Sequence, residues 1–131
     1  MATVSIHHIA VRAKDYTASK KFYVEGLGAE CYAEWEHWKG FMACMLRLNG
    51  GGIIEMLGSG EGELPDNFES IGGCYIHLAL LVDDVEEAVN RAIAAGGRQK
   101  GEIKDNDVPS PMHIGTVFGP SGEIIEFLKE L

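Results

Sequence analysis

The sequence predicts an α+β fold of two βαβββ modules in tandem. Three observations carry that prediction. Two pairs of matching landmarks repeat at about 70 residues, each half has one segment of helical spacing among alternating segments, and glycine-rich turns separate them. The histidines of the repeat, His8 and His77, lie 69 residues apart, and the glutamates, Glu55 and Glu126, lie 71 apart. Around them, His8-Ile9-Ala10-Val11 parallels His77-Leu78-Ala79-Leu80, and Ile53-Ile54-Glu55-Met56-Leu57 parallels Ile124-Ile125-Glu126-Phe127-Leu128.

Each half reads in the same order. An alternating strand opens it, at about 4–12 and 74–82. Asp15 and Asp84 then stand where a helix N-cap belongs, able to accept the first-turn N–H groups. Helices are expected at about 16–26 and 85–95. Their apolar positions are Phe22, Tyr23 and Leu27 in the first, and Val85, Ala88, Val89, Ala92 and Ile93 in the second. Gly26 and Gly28 are expected to stop the first helix, and Gly96-Gly97 the second. Three extended segments complete each half, at about 29–36, 40–48 and 52–58, then 98–104, 112–118 and 123–129. Asn49-Gly50-Gly51 and Gly119-Pro120-Ser121-Gly122 supply turns. The 131 residues thus form a single domain of module 1 (about 1–58), a polar linker (about 59–73) and module 2 (about 74–131). Each helix should cover one face of its sheet. The other face needs burial by the companion half or by a second chain.

Composition narrows the function. The net charge of −9 disfavours nucleic acid, whose phosphates would be repelled. No uninterrupted apolar run reaches the ~18 residues of a membrane helix, and the first ten residues do not read as a signal peptide. Cys31, Cys44 and Cys74 are odd in number and scattered, which suits reduced thiols in a cytoplasmic setting.

Side chains alternate across a strand. His8 therefore shares a face with Ile6, Ala10 and Arg12, and Glu55 with Ile53 and Leu57; His77 and Glu126 repeat the arrangement. A carboxylate among apolar neighbours is costly without a partner. A lone histidine in a strand is more often a hydrogen-bonded core residue, but two matched His/Glu pairs ask for one explanation. A cage of His8, Glu55, His77 and Glu126 around one divalent cation supplies it. Nickel or zinc leads, and cobalt, manganese or iron(II) also suit these ligands. His7 is expected to face away from His8. Trp35, Trp38 and His37 lie in an aromatic stretch that either lines a substrate pocket or packs core and turn. His113, on the strand before the Gly119 turn, is a candidate to reach the cavity. Asp83, Asp84, Glu86 and Glu87 read as an acidic helix start.

Residues 7–28 (HHIAVRAKDYTASKKFYVEGLG), 53–57 (IIEML), 77–89 (HLALLVDDVEEAV) and 119–128 (GPSGEIIEFL) together resemble the vicinal oxygen chelate superfamily, over essentially the whole chain. That group includes glyoxalase I, methylmalonyl-CoA epimerase, extradiol dioxygenases, and fosfomycin- and bleomycin-resistance proteins. The resemblance implies paired βαβββ modules forming a cupped mixed sheet with helices outside, and a homodimer. It also implies the four ligands already named, a pattern most similar to bacterial-type glyoxalase I. Arg12 matches a position that contacts the glutathione carboxylate there, whereas Met56-Leu57-Gly58-Ser59 lacks that enzyme's asparagine. The implied function is a glyoxalase-like lyase or isomerase of lactoylglutathione lyase type. Its small substrate would chelate the metal through adjacent oxygens. Glu126 would move a proton through an enediolate-type intermediate, with Glu55 as the opposite base. Arg12, Trp35, Trp38 and His113 are the expected substrate contacts. Alternatives are a ring-cleaving dioxygenase of the same group and a drug-sequestering binding protein. Whether the site forms within one chain or across a dimer stays open.

Overall fold

A computed structural model describes residues 2–62 and 64–131. Met1 and Glu63, which fall in the expected first module and linker, lie outside the described residues. The α+β class and the two repeated modules are as expected. The first half runs β1 (Ile9–Ala13), α1 (Tyr16–Lys21), β2 (Glu30–Trp38), β3 (Phe41–Arg47) and β4 (Ile53–Gly58). The second runs β5 (Leu78–Leu81), α2 (Val85–Ala94), β6 (Arg98–Gln99), β7 (Lys104–Asn106), β8 (Met112–Phe118) and β9 (Ile124–Glu130). The first sheet has the order β1-β4-β3-β2. The second has β5-β9-β8-β6, with β7 also on β8. In each, the first strand pairs in parallel with the last, and the remaining pairs are antiparallel. Among the described residues, no helix is long and apolar enough to cross a membrane.

The helix starts follow the sequence reading. Asp15 Oδ1 accepts the Ala18 N–H, and Asp84 Oδ1 accepts the Glu87 N–H, both at 3.0 Å. Other details differ. The first helix continues beyond Lys21 as a wider, π-type segment over Phe22–Gly26, in which Phe22 and Tyr23 are both buried. It ends at Gly26 as expected, with Leu27 as the cap and Gly28 at a φ of +70° just beyond. Gly26 is also the point where the two helices meet, since a Cβ there would stand 3.1 Å from Ala95 Cβ. The strand expected at 98–104 is two short pieces, β6 and β7. The opening strands begin at Ile9 and Leu78, so His8 and His77 each sit just before a strand. The linker holds a short 3₁₀ turn at Phe68–Ser70 that buries Phe68.

One core joins the halves. Ile54 and Met56 of β4, Phe22 and Tyr23 of the first helix segment, Val85, Val89 and Ala92 of α2, and Ile125 and Phe127 of β9 belong to the same buried cluster. Polar ties cross the same seam. The Tyr23 hydroxyl donates to Glu123 Oε2 at 3.0 Å, and the Lys14 N–H donates to Ser121 Oγ at 3.0 Å. Burial and the bond to Glu123 hold the Tyr23 hydroxyl well above its usual titration range.

Gly97 fills the tightest part of this seam. A Cβ there would lie 2.7 Å from Phe22 Cε2, 2.9 Å from the Ala92 carbonyl oxygen and 3.2 Å from that of Phe118. Two of these neighbours are backbone atoms and cannot swing aside. Gly97→Val is therefore expected to cost about 1–3 kcal/mol by overpacking, seen as a fall of several degrees in Tm. Gly72→Ala, with nothing within 4 Å, should stay within about 0.5 kcal/mol of the parent. Equal melting curves for the two variants would contradict this account of the seam.

Candidate metal and substrate site

The strand registers place the two expected ligand pairs identically. Ala10 of β1 pairs with Glu55 of β4, and Ala79 of β5 pairs with Glu126 of β9. Glu55 therefore shares a face with Ala10, and Glu126 shares the matching face of the other sheet with Ala79, while each histidine precedes its strand, two residues before that alanine. The opposite faces, carrying Ile54 and Met56 or Ile125 and Phe127, form the shared core. Both His/Glu faces are thus turned away from that core. The structure brings His8 Nε2 to 4.0 Å from Glu55 Oε1. It does not gather all four side chains: among the described residues, no three His, Cys, Asp or Glu form a group that could hold a metal ion.

The His8 ring is oriented by its neighbour. His7 Nδ1 and His8 Nδ1 lie 2.8 Å apart, so one donates and the other accepts, and the rings meet edge to face at 5.1 Å between centroids. His7 does not face away, because residues 7 and 8 precede the strand and escape its alternation. With Nδ1 engaged, His8 Nε2 is left directed at Glu55.

The Glu55 face continues across the sheet. Met45 stands opposite Glu55, and Ala33 opposite Met45. In the next row, Arg12, Leu57, Ala43 and Trp35 lie side by side. Trp38 pairs with Phe41 and stacks on it, with ring centroids 5.9 Å apart, and the Lys39 ammonium lies over the Trp38 ring. Arg12, Trp35 and Trp38 therefore share the Glu55 face, on an apolar floor. Arg12 Nη1 donates to Ser59 Oγ at 2.5 Å. Sequence reasoning missed this partner, although Ser59 falls four residues after Glu55, at the place where the asparagine was absent.

His113 is elsewhere. Thr116 of β8 pairs with Glu126, so Ile114, Thr116 and Phe118 share the Glu126 face. His113, with Gly115 and Val117, points to the helix side. Its Nδ1 lies 2.6 Å from Asp105 Oδ1 and its Nε2 2.6 Å from Glu86 Oε1. The expectation that His113 reaches the cavity is corrected by strand parity. It clasps β7 and the start of α2 on the far side of the sheet. His37 is half-buried on β2, and its Nε2 has no hydrogen-bond partner among the described residues.

Comparison with known proteins bears on this geometry. The family model described as Glyoxalase/Bleomycin resistance protein/Dioxygenase superfamily matches residues 5–127. The chain belongs to that superfamily. The uncharacterized protein YaeR of Escherichia coli (strain K12) is 41% identical over 90 residues, a match spanning 64% of this chain and 65% of that protein. A probable lactoylglutathione lyase of Vibrio parahaemolyticus serotype O3:K6 is 28% identical, over 98% of this chain and 93% of its own length. The crystal structure of the glyoxalase family protein from Enterococcus faecalis superposes with a TM-score of 0.76 at 26% identity, covering 95% of this chain and 96% of its own.

The clasp predicts a pH signature. Hydrogen bonds to Glu86 first, then to Asp105, raise the His113 pKa above the ordinary histidine value, and the bond from His113 lowers that of Glu86. The His113 contribution to stability is complete below the unfolded histidine pKa of about 6.5 and fades as pH rises through the raised folded value. The Glu86 contribution is present above the unfolded glutamate range and fades as pH falls through the lowered value. An NMR titration should show His113 losing its proton at higher pH than a free histidine, and His113→Gln should flatten the alkaline decline in stability. A His113 midpoint at or below the free value would remove the clasp.

Proposed function

We propose that the protein is a metal-dependent lyase or isomerase of the lactoylglutathione lyase type, acting in the cytoplasm. Its site would form where the His8/Glu55 face of one copy meets the His77/Glu126 face of a second. The observation that carries this reading is the identical register of the two His/Glu pairs on faces turned away from the shared core. One chain holds each pair as half a site, and a two-fold partner completes both halves at once. Large apolar side chains beside the two histidines support such a partner: Ile6 is 85% exposed and Tyr75 95%. The 28% identical probable lactoylglutathione lyase supports the reaction class. Three free cysteines suit a reducing compartment.

The donor set fits a divalent cation of the nickel or zinc kind, with cobalt, manganese and iron(II) also suited. His8 presents Nε2 toward Glu55 while His7 fixes the ring through Nδ1, the arrangement that orients a ligating imidazole. Such an ion, when bound, supplies Lewis-acid polarisation of adjacent substrate oxygens. Glu126 moves the proton at the substrate carbon, with Glu55 as the base on the opposite side. Arg12, Trp35 and Trp38 orient the substrate from the Glu55 face.

Three measurements test this. Metal content of untagged protein should approach one divalent ion per site and fall in Glu55→Ala/Glu126→Ala. Glu126→Gln should lower turnover of the methylglyoxal–glutathione hemithioacetal by roughly 10²–10⁴-fold while much of the metal stays bound. Mixing Glu55→Gln with Glu126→Gln, each inactive alone, should restore activity. Half of randomly mixed dimers are heterodimers, and each then has one intact site of two, so about a quarter of wild-type activity returns. No recovery would place the site within one chain. Saturable binding without product would replace catalysis with sequestration, and iron or manganese with ring opening would favour the dioxygenase.

A further inference from the structure

Two of the three free cysteines lie on neighbouring strands of the first sheet, on the side away from Glu55. Cys31 of β2 pairs with Leu46 of β3, and Cys44 stands two residues before Leu46. Residues two apart on a strand share a face, so Cys44, Leu46 and Cys31 point the same way. That way is inward: Cys44 and Leu46 belong to the buried cluster, and Cys31 packs against it. The two cysteines are thus diagonal neighbours across the strands. An ordinary diagonal pair has Cα atoms roughly 7–8 Å apart. Here the register shifts between Cys31 and Ala33, so the pair sits at a bulge, where a strand bends away from the regular ladder.

One corner of α1 closes over both thiols. Tyr16 donates its hydroxyl to Glu34, the cross-strand partner of Cys44, and Lys20 Nζ lies 2.7 Å from Glu34 Oε2. The bond to Glu34 above all, and the Cys31 and Cys44 thiols in lesser part, raise the Lys20 pKa. Burial pushes the Cys44 thiol up to about 11, with Tyr16, Cys31 and Lys20 as the groups that act on it. The two thiols and one ammonium therefore form a single cluster. Its members differ in access. Cys44 is fully buried, whereas Cys31 is half-buried and open to a reagent. The Cys31 thiol makes only a long bond, 3.6 Å, to the Ala33 carbonyl oxygen.

We infer that Cys31 and Cys44 are a redox-active pair, which closes a reversible disulfide by exchange with a low-molecular-weight disulfide such as glutathione disulfide. The exchange balances in two steps. The Cys31 thiol loses its proton and attacks one sulfur of the reagent, whose S–S bond breaks. One glutathione leaves and takes up a proton, and the other stays on Cys31 as a mixed disulfide. The Cys44 thiol then loses its proton, attacks the Cys31 sulfur and expels the second glutathione, which takes up that proton. Two protein thiols are oxidised by two electrons in all, and one disulfide is reduced to two thiols. Closure draws in the outermost strand. A disulfide joins Cα atoms roughly 4.4–6.8 Å apart, so β2 must move inward by about an ångström. It can do so without breaking a second ladder, because β2 ends its sheet and pairs with β3 alone. Both tryptophans of the chain stand on β2, and Trp35 pairs with Ala43, the neighbour of Cys44. The thiol state thereby reaches the aromatic wall on the opposite face. In a reducing setting such bonds are transient and serve as sensors. This inference goes beyond the His/Glu reading and does not rest on it.

The test equilibrates the full chain, without metal or substrate, in buffers running from glutathione alone to mainly glutathione disulfide. Alkylation and peptide mass mapping follow. A peptide linking Cys31 to Cys44 is expected in the oxidising buffer and should be lost again in excess glutathione. Tryptophan emission should shift with the same midpoint. Cys74→Ser should still form the bond. Cys31→Ser should form none and keep its emission constant across the series. Cys44→Ser should stop at a glutathione-capped Cys31, the first step without the second. If burial makes that last variant fail to fold, Cys31→Ser decides alone. The inference is overturned if Cys31 and Cys44 both stay free in the oxidising buffer, or if the bond formed includes Cys74. A wild-type chain that stops at the capped Cys31 would overturn it too. Metal content and complementation of the glutamate variants are read separately, so either result can fail while the other stands.

Discussion

In β4 and β9 alternate side chains go to opposite sides of the sheet, and one side is consumed by the core that both halves share. Ile54, Met56, Ile125 and Phe127 are 2% exposed or less. Their burial stabilises the fold by an amount in the usual range of about 1.5–3 kcal/mol per large apolar side chain. That leaves Glu55 and Glu126 no choice of side. A slip of one residue in either register would bury a carboxylate and expose the core row, so the packing that holds the protein together also fixes where its acids stand. Gly97 and Gly26 serve the same end, letting the first helix segment and α2 approach closely enough for one core to serve two sheets.

The same constraint explains what the sequence made legible. The repeat, the strand–helix order, the Asp15 and Asp84 caps and the shared face of each His/Glu pair all follow from local periodicity and spacing. The strand starts did not follow. Residues 4–8 and 74–77 carry an alternating pattern, but the ladders begin at Ile9 and Leu78, because pairing partners rather than pattern decide where a strand begins. The relation of His7 to His8 changed for that reason. His113 illustrates a different limit. Its distance in sequence from Glu126 is small, yet parity counted along β8 from Thr116, the partner of Glu126, sends it to the helix side, where Glu86 and Asp105 take it. Register between strands is needed to see this.

The repeat also shows which parts of a module are free to differ. The register of the parallel pair that carries the glutamate is the same in both halves, Ala10 opposite Glu55 and Ala79 opposite Glu126. The outer strands are not: β2 runs nine residues with tryptophans on the Glu55 face, whereas the matching stretch of the second half is broken into β6 and β7 and carries lysines. Breaking the strand has a structural consequence. Between β6 and β7 the chain turns through Gly101, whose φ of +70° suits glycine, and the turn forms one wall of a concavity beside Thr116.

The asymmetry matters because of how two copies would meet. If the His8/Glu55 face of one copy lies over the His77/Glu126 face of the next, an aromatic edge and a cationic edge enclose the same space. Two identical edges would give a cavity either apolar or charged throughout. Two different edges give it a direction, aromatic at Trp35 and cationic at Lys100 and Lys104. A two-fold axis repeats that direction at the second site without a further specifying element, since each copy supplies one wall of each kind. The inner parallel strands keep one register in both modules, and the outer strands differ between them. A single chain thus joins a repeated inner pair to two unlike edges.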